Sequence, residues 1–280
     1  MGIGNGMGPD TMPEEKLGKL KELLEESESV LIAYSGGVDS AFLLKVARDV
    51  LGDRAVAVTA RSPTYPEREY LEAQELAQRL GVRFLSISTD ELSRQEFICN
   101  APDRCYWCKR ELFEKLREIA RREHIGWVAD GSNFDDLKDF RPGSKAAREL
   151  GVRSPLCEVE LTKEEIRVLS RNMGLSTWDK APFACLASRI PYGTPITPEV
   201  LEKINRAEES LLCLGLRHVR VRHHAKIARI EVEPRDMEEI VRRRDEVVGK
   251  LKALGYLYIV LDLEGYQSGS LNQMLEHTKG

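Results

Sequence analysis

The stretch Val30-Leu31-Ile32-Ala33-Tyr34-Ser35-Gly36-Gly37-Val38-Asp39-Ser40 decides the fold. Val30 to Ala33 is an apolar run of strand length. Ser40, Phe42, Leu43, Leu44 and Val46 then recur at helical spacing. A strand that turns through two glycines into a helix N-terminus is an anion site. The first N–H groups of the helix lack intrahelical partners, and the helix dipole adds positive potential. Gly36 and Gly37 allow close backbone approach, and Ser35 and Ser40 add hydroxyl donors. Asp39 is the odd member, because a carboxylate repels phosphates. It makes sense as the holder of a magnesium ion that bridges to them. The plain alternative is a glycine turn with no ligand.

Working outward, the chain alternates strand and helix. Strands are predicted at 30–34, 55–59, 83–87 and 127–130, with helices at about 13–27, 40–51, 67–80 and 109–123. Leu71, Leu76 and Leu80 mark the apolar face of the third helix. This order predicts an α/β fold, a parallel doubly wound sheet covered on both faces. Ligands in such folds lie beyond the C-terminal ends of the strands. The glycine loop, Thr59-Ala60-Arg61-Ser62 and Asp130-Gly131-Ser132-Asn133 each follow a strand and so crowd one edge as a nucleotide crevice.

Thr162 with Glu165 three residues on is a capping box that opens a helix at 162–173. Residues 176–198 carry several prolines and little periodicity and read as a functional loop. A smaller α+β part follows: helix 198–214, strands 217–223 and 226–232, helix 235–253 and strand 256–262. The domain reading is a polar, Gly-rich lead-in at 1–12 expected to be disordered, a nucleotide-binding domain at 13–190 and a C-terminal α+β domain at 191–280.

A chain of 280 residues with 31% charged residues has enough length for a sizeable core without disulfides. Its 42 Lys+Arg against 46 Asp+Glu give net charge −4, with no basic excess to attract nucleic acid. No apolar run reaches the ~20 residues of a membrane helix, and no secretion signal is seen. These features predict a cytoplasmic protein without membrane or nucleic-acid partners.

The 6 cysteines are Cys99, Cys105, Cys108, Cys157, Cys185 and Cys213. In a long chain of this kind they point to metal, redox or catalytic use more than to disulfides. Arg104-Cys105-Tyr106-Trp107-Cys108-Lys109 sets two thiols three apart, where a helix N-terminus and Lys109 would lower thiol pKa. The pair alone fits half a zinc site, a redox couple or two inert thiols. Cys185 lies in the irregular connection and is a candidate further ligand; three thiolates suit zinc or an iron–sulfur cluster. Cys99 is an alternative ligand. Cys157 reads as structural, and Cys213, beside Leu211, Leu212 and Leu214, as a core residue.

Two further groups stand out. Asp130-Gly131-Ser132-Asn133-Phe134-Asp135-Asp136 supplies carboxylates for magnesium, with a solvated acidic turn the alternative for Asp136; Arg141 is suited to clamp phosphate or carboxylate. Alternation puts Arg220 and Arg222 on one strand face, fit for a phosphate, a subunit interface or plain solvation, while His223 and His224 point oppositely.

The Ser-Gly-Gly-Val-Asp-Ser loop lacks the lysine of a Walker A loop and resembles that of the PP-loop ATP pyrophosphatases, which cleave ATP between its α- and β-phosphates and adenylate an oxygen of their substrate. With Asp103-Arg104-Cys105-Tyr106-Trp107-Cys108-Lys109, Asp139-Phe140-Arg141-Pro142-Gly143 and Cys185-Leu186-Ala187-Ser188-Arg189-Ile190-Pro191-Tyr192-Gly193, the chain resembles the LarE family over about residues 14–270. The resemblance implies ATP-dependent sulfur transfer onto pyridinium-3,5-biscarboxylic acid mononucleotide, toward the nickel-pincer cofactor of lactate racemase. It implies ATP, Mg2+ and a four-iron four-sulfur (4Fe-4S) cluster on Cys105, Cys108 and Cys185, fed by sulfide or another sulfur donor. Other members instead sacrifice the cysteine that Cys185 matches.

It further implies an ATP site of Ser35, Gly36, Gly37, Asp39, Ser40, Thr59, Arg61, Gly131 and Arg141, with Cys185, Asp39 and Arg189 as catalytic groups. Ser188, Arg220 and Arg222 would bind substrate, and Glu231 a metal at a subunit contact, in a homo-oligomer, commonly a hexamer. The rival readings are a tRNA thiolation enzyme, an ammonia-using adenylating ligase, and a nucleotide-binding module with structural zinc.

Overall fold

The structure is a computed structural model that describes residues 11–138, 141–182, 184–216, 218–267 and 271. The lead-in up to residue 10 lies outside the described residues, as do Asp139, Phe140, Phe183 and Arg217. The chain divides into two compact units. The first comprises residues 1–61, 67–89 and 105–180; the second comprises 62–66, 90–104 and 181–280.

The first unit opens with helix α1 (Thr11–Glu25), strand β1 (Val30–Ala33), helix α2 (Val38–Leu51) and strand β2 (Ala55–Arg61). Helix α3 (Glu67–Arg79) and strand β3 (Arg83–Ser88) follow. The strands pair in parallel in the order β3-β2-β1-β4, where β4 is Trp127–Ala129. Successive side chains of a strand face opposite sides, and here both sides are apolar. Val30 and Ile32 with Ala55 and Ala57 enter one core, while Leu31 with Val56 and Val58 enters the other. That double burial is why β1 and most of β2 read as continuous apolar runs.

Helix α2 buries Ala41, Phe42, Leu43, Leu44, Val46 and Ala47. Full burial of each Leu or Phe contributes about 1.5–3 kcal/mol, so the glycine turn is held between two heavily packed elements. Leu71 departs from expectation: it is exposed, and α3 buries Tyr70, Ala73, Leu76 and Ala77 instead. Thr59 and Arg61 are still within β2 rather than in a loop after it.

Helix α4 (Gln95–Ile98) belongs to the second unit. Helix α5 (Arg104–Arg122) begins five residues before the predicted 109, because the turn 100–103 ends directly in Arg104. Helices α6 (Pro142–Glu149) and α7 (Pro155–Glu158) were not foreseen, and both start at a proline, which suits the first helical turn. The capping box of Thr162 and Glu165 is present at the start of α8 (Lys163–Asn172). Lys16 of α1 ties to Glu165 at 2.7 Å.

The second unit has helix α9 (Pro198–Leu212) and strands β5 (Val219–His224) and β6 (Ile227–Val232). Helices α10 (Met237–Arg242) and α11 (Arg244–Ala253) and strand β7 (Tyr258–Leu261) complete it. β5 and β6 pair antiparallel, and β6 and β7 pair in parallel. The single helix expected at 235–253 is broken at Arg243, a non-helical residue that caps both pieces. Cys213 is exposed rather than in the core, because α9 ends at Leu212 and turns its buried face through Leu201, Ile204, Ala207 and Leu211. Among the described residues no helix is long and apolar enough to cross a membrane.

Candidate functional site

The strand order places the first site. From β1 the chain steps to β2 and β3 on one side, then returns to pair β4 on the other side of β1. A ligand crevice opens at such a reversal, outside the carboxyl ends of the strands. The loops after β1 and after β4 flank it. A Cβ on Gly131 would lie 2.9 Å from Ser40 N and Cα, so the loop after β4 meets the first turn of α2 only because Gly131 has no side chain. Gly36 adopts φ +65°, and a Cβ there would lie 2.7 Å from Ala73 Cβ of α3.

Helix α2 starts from Gly37 with no side-chain cap, which leaves its first N–H groups available to an anion. Ser40 is buried and shapes the loop: its Oγ accepts from Ser35 N at 3.2 Å and lies 3.1 Å from Ser35 Oγ. The Thr59 hydroxyl donates to Tyr34 O at 2.7 Å and braces the end of β1. Arg61 pairs with Glu67 at 2.8 Å and lies over the Tyr70 ring.

Asp39, one residue into α2, has one oxygen on Lys163 Nζ at 2.6 Å; the other, Oδ1, is enclosed with no partner. An orphaned buried carboxylate oxygen beside an anion-binding helix start fits a hard cation, so Asp39 fits magnesium. Lys163 escaped the sequence reading, since no motif marks it and 124 residues separate it from Asp39.

The loop after β4 is tightly wired. Asp130 accepts from Ser132 N, Ser132 Oγ and Ser154 Oγ at 3.1, 3.0 and 2.8 Å. Asp136 is buried, not a solvated turn residue: it accepts from Asn133 N and pairs with Arg141 at 2.8 Å. Burial raises its carboxyl above the ordinary range; Arg141 opposes this and Asp39 adds to it. The Cys157 thiol donates to the carbonyls of Ser132 and Asn133, and burial with Asp130 nearby pushes it up to about 12. Its structural reading holds.

In the second unit Cys185 caps a 3-10 turn, Leu186–Arg189. Arg189 is buried and meets the Glu208 carboxylate through Nε at 2.9 Å and Nη2 at 3.0 Å. Its Nη1 donates to the carbonyls of Ala184 and Cys185 and to Ser188 Oγ. Glu208 also escaped the sequence reading. Its signal was a charge on the apolar face of α9, between Ile204 and Leu211. Arg222 is bound in the same forked way to Glu231, and its Nη1 donates to Ser188 O at 2.6 Å. Arg229 takes the same Glu231 at 2.9 Å, so both oxygens of that carboxylate face arginines.

Arg220 and Arg222 are buried rather than a solvated face. Arg220 donates to Pro182 O at 2.8 Å and lies over the Tyr266 ring. Burial, with Arg189 and Arg222 nearby, lowers its pKa to about 10. No carboxylate pairs with Arg220 among the described residues. His223 lies against Tyr256 OH at 3.1 Å, whereas His224 is half-buried.

Cys105 and Cys108 lie one turn apart on α5, hence on one face of it, with Cys105 exposed and Cys108 half-buried. They belong to the first unit and Cys185 to the second. Among the described residues no three His, Cys, Asp or Glu are gathered as a metal site.

A parallel sheet, a Gly-Gly loop opening an uncapped helix, and an acid with an enclosed, unpartnered oxygen at the helix start fit a nucleotide-binding domain of the PP-loop ATP pyrophosphatase class. A family model described as NAD synthase matches residues 16–101. An uncharacterized protein of Synechocystis sp. is 46% identical, covering 94% of this chain and 99% of its own. The pyridinium-3,5-bisthiocarboxylic acid mononucleotide synthase of Lactiplantibacillus plantarum is 38% identical, covering 93% of this chain and 95% of its own. An uncharacterized protein of Methanocaldococcus jannaschii is 30% identical, covering 91% and 98%. The chain belongs to the LarE family, that of the pyridinium-3,5-bisthiocarboxylic acid mononucleotide synthases.

Proposed function

We propose that the protein is an ATP-dependent sulfur transferase that converts pyridinium-3,5-biscarboxylic acid mononucleotide into its bis-thiocarboxylic form, the precursor of the nickel-pincer cofactor. The observation that carries this reading is 38% identity over 93% of the chain to an enzyme named for that product.

A carboxylate resists substitution because its leaving group would be oxide. A substrate carboxylate oxygen attacks the α-phosphorus of ATP, and the bond to the β-phosphate oxygen breaks. Pyrophosphate departs against the first N–H groups of α2 and the loop of Ser35, Gly36 and Gly37, which are set where its charge develops. Asp39 would hold magnesium, which would supply positive charge against the phosphates. Gly131 keeps the facing loop close, and Arg141, Thr59 and Arg61 line or brace the same strand ends. A sulfur nucleophile then attacks the adenylated carbon and the C–O bond to AMP breaks, leaving a thiocarboxylate.

Arg220 is the proposed ligand of the substrate phosphate, with Arg222 and Ser188 shaping its surroundings. Arg189 positions the backbone of Cys185. For the sulfur source we propose a 4Fe-4S cluster held by Cys105, Cys108 and Cys185; the donor set is all thiolate, and two of the three already share a helix face. When bound, such a cluster supplies a site for an added sulfide. A cytoplasmic location and a homo-oligomeric state are proposed on the family resemblance; Glu231, buried with both oxygens held by Arg222 and Arg229, does not fit the metal-binding role the resemblance implies.

The test is anaerobic reconstitution of the full chain with iron and sulfide, assayed for AMP release with the dicarboxylate nucleotide. Bound iron that is lost in Cys105→Ala, Cys108→Ala and Cys185→Ala supports the cluster. Conversion of Cys185 to dehydroalanine at each turnover overturns it and leaves the transferase reading standing. No AMP release with that nucleotide overturns the transferase reading.

A further inference from the structure

Lys163 is the first residue of α8, directly after the Thr162 cap. Its backbone N–H is fixed on Asp135 Oδ2 at 2.9 Å, and the helix start is locked by the capping box. Only the side chain is left to move. Its ammonium lies 2.6 Å from Asp39 Oδ2, while Asp39 Oδ1 is enclosed and accepts nothing. The pair is not sealed, since the Lys163 and Asp39 side chains are 30% and 21% exposed. Among the described residues of this edge, Asp136 pairs with Arg141, and Asp130 accepts from Ser132 and Ser154. Among the described residues Asp39 is the ion-pair partner of Lys163.

We propose that Lys163 is a further residue of the adenylation site. Its ammonium takes the place of a divalent cation on Asp39, gives that carboxylate up when magnesium enters with ATP, and turns to the outer phosphates of the nucleotide. The proposal rests on the nucleotide-site reading above. Magnesium on Asp39 would stand close to the Lys163 ammonium and repel it, which favours release of the ammonium. A lysine is a point charge on a flexible stem, able to follow phosphate oxygens without a fixed fork. The charge that leaves Asp39 thereby stays in the site and meets the charge that builds on departing pyrophosphate. No bond to Lys163 forms or breaks.

The experiment uses the full chain as wild type, Lys163→Gln, Lys163→Arg and Asp39→Asn. Calorimetry follows magnesium binding in the presence of α,β-methylene ATP, and pyrophosphate release is measured with the dicarboxylate nucleotide. Lys163→Gln is expected to lower the half-saturating magnesium several-fold, because the competing cation is gone. Its kcat for pyrophosphate release is expected to fall about tenfold or more, with partial rescue by Lys163→Arg. An unchanged magnesium midpoint in Lys163→Gln overturns the proposal, whatever the rate does. A wild-type protein that binds no magnesium–nucleotide, with Asp39→Asn indistinguishable from it, overturns instead the nucleotide-site reading on which the proposal stands.

Discussion

Arg189 and Glu208 face each other through two parallel N–H···O bonds of 2.9 and 3.0 Å, both side chains withdrawn from solvent. Glu208 also accepts from Val221 N at 3.0 Å, so one carboxylate links the Cys185 segment, helix α9 and strand β5. Breaking a buried pair leaves a charge without its counter-charge, which costs about 3–5 kcal/mol. Glu208→Gln should therefore lower the urea midpoint sharply. A double change, Arg189→Met with Glu208→Leu, should recover much of the loss while still disordering the Cys185 carbonyl contacts. Denaturation curves of the three proteins check this.

Two glycines with similar φ separate strain from close approach. Gly36 at φ +65° has Ala73 Cβ 2.7 Å from where its own Cβ would be, while Gly174 at φ +72° has nothing within 4 Å. Gly174→Ala should cost about 1 kcal/mol, the backbone strain alone. Gly36→Ala adds a forced shift against α3, about 1–3 kcal/mol more, and should weaken binding of an ATP analogue. Thermal melts and nucleotide titrations of the two variants give the comparison.

Thiol reactivity should follow exposure. Cys99, Cys105 and Cys213 are exposed and should alkylate readily in the apo protein. Cys157, donating to two carbonyls and with its pKa pushed up to about 12, should stay unmodified at pH 8 unless the fold opens. Peptide mapping after timed alkylation distinguishes them.

The Glu69–Lys180 pair, 2.8 Å apart, should make stability depend on pH at both extremes. Burial alone would raise Glu69, but Lys180 and Arg68 hold it below its usual range. Its contribution is present above the unfolded carboxylate value of about 4.3 and is lost as pH falls through the depressed folded value. Burial alone would lower Lys180, but Glu69 and Glu72 raise it. Its contribution is present below about 10.4 and is lost as pH rises through the raised folded value. The stability gap between wild type and the double change Glu69→Gln with Lys180→Met should be widest near neutrality and close toward either end, as read from urea midpoints across pH.

The parts of this molecule legible in the sequence are those governed by local rules. The β1–loop–α2 turn, the parallel strand alternation and the Thr162–Glu165 box each follow from a few adjacent residues. What escaped depends on distant partners. Lys163 gains meaning only from Asp39, and Glu208 only from Arg189. Arg220 and Arg222 alternate as expected, yet which one is neutralised was set by Glu231 across the strand pair. Arg243 broke a helix whose apolar periodicity continued through it, and Cys213 left the core because α9 stops one residue before it. Periodicity reports which face a residue takes, not where the chain stops obeying it.

The Asn100 side chain donates to the carbonyls of Ile190, Pro191 and Thr194, and Ile196 N donates to Ile98 O. Asn100 itself has no exposed surface. During synthesis the stretch around it leaves the ribosome some 90 residues ahead of those acceptors. Until they emerge, its amide must stay in water. Closure of this segment therefore waits on residues 190–196, and a gene cut back to before residue 190 would strand the Asn100 amide without these acceptors.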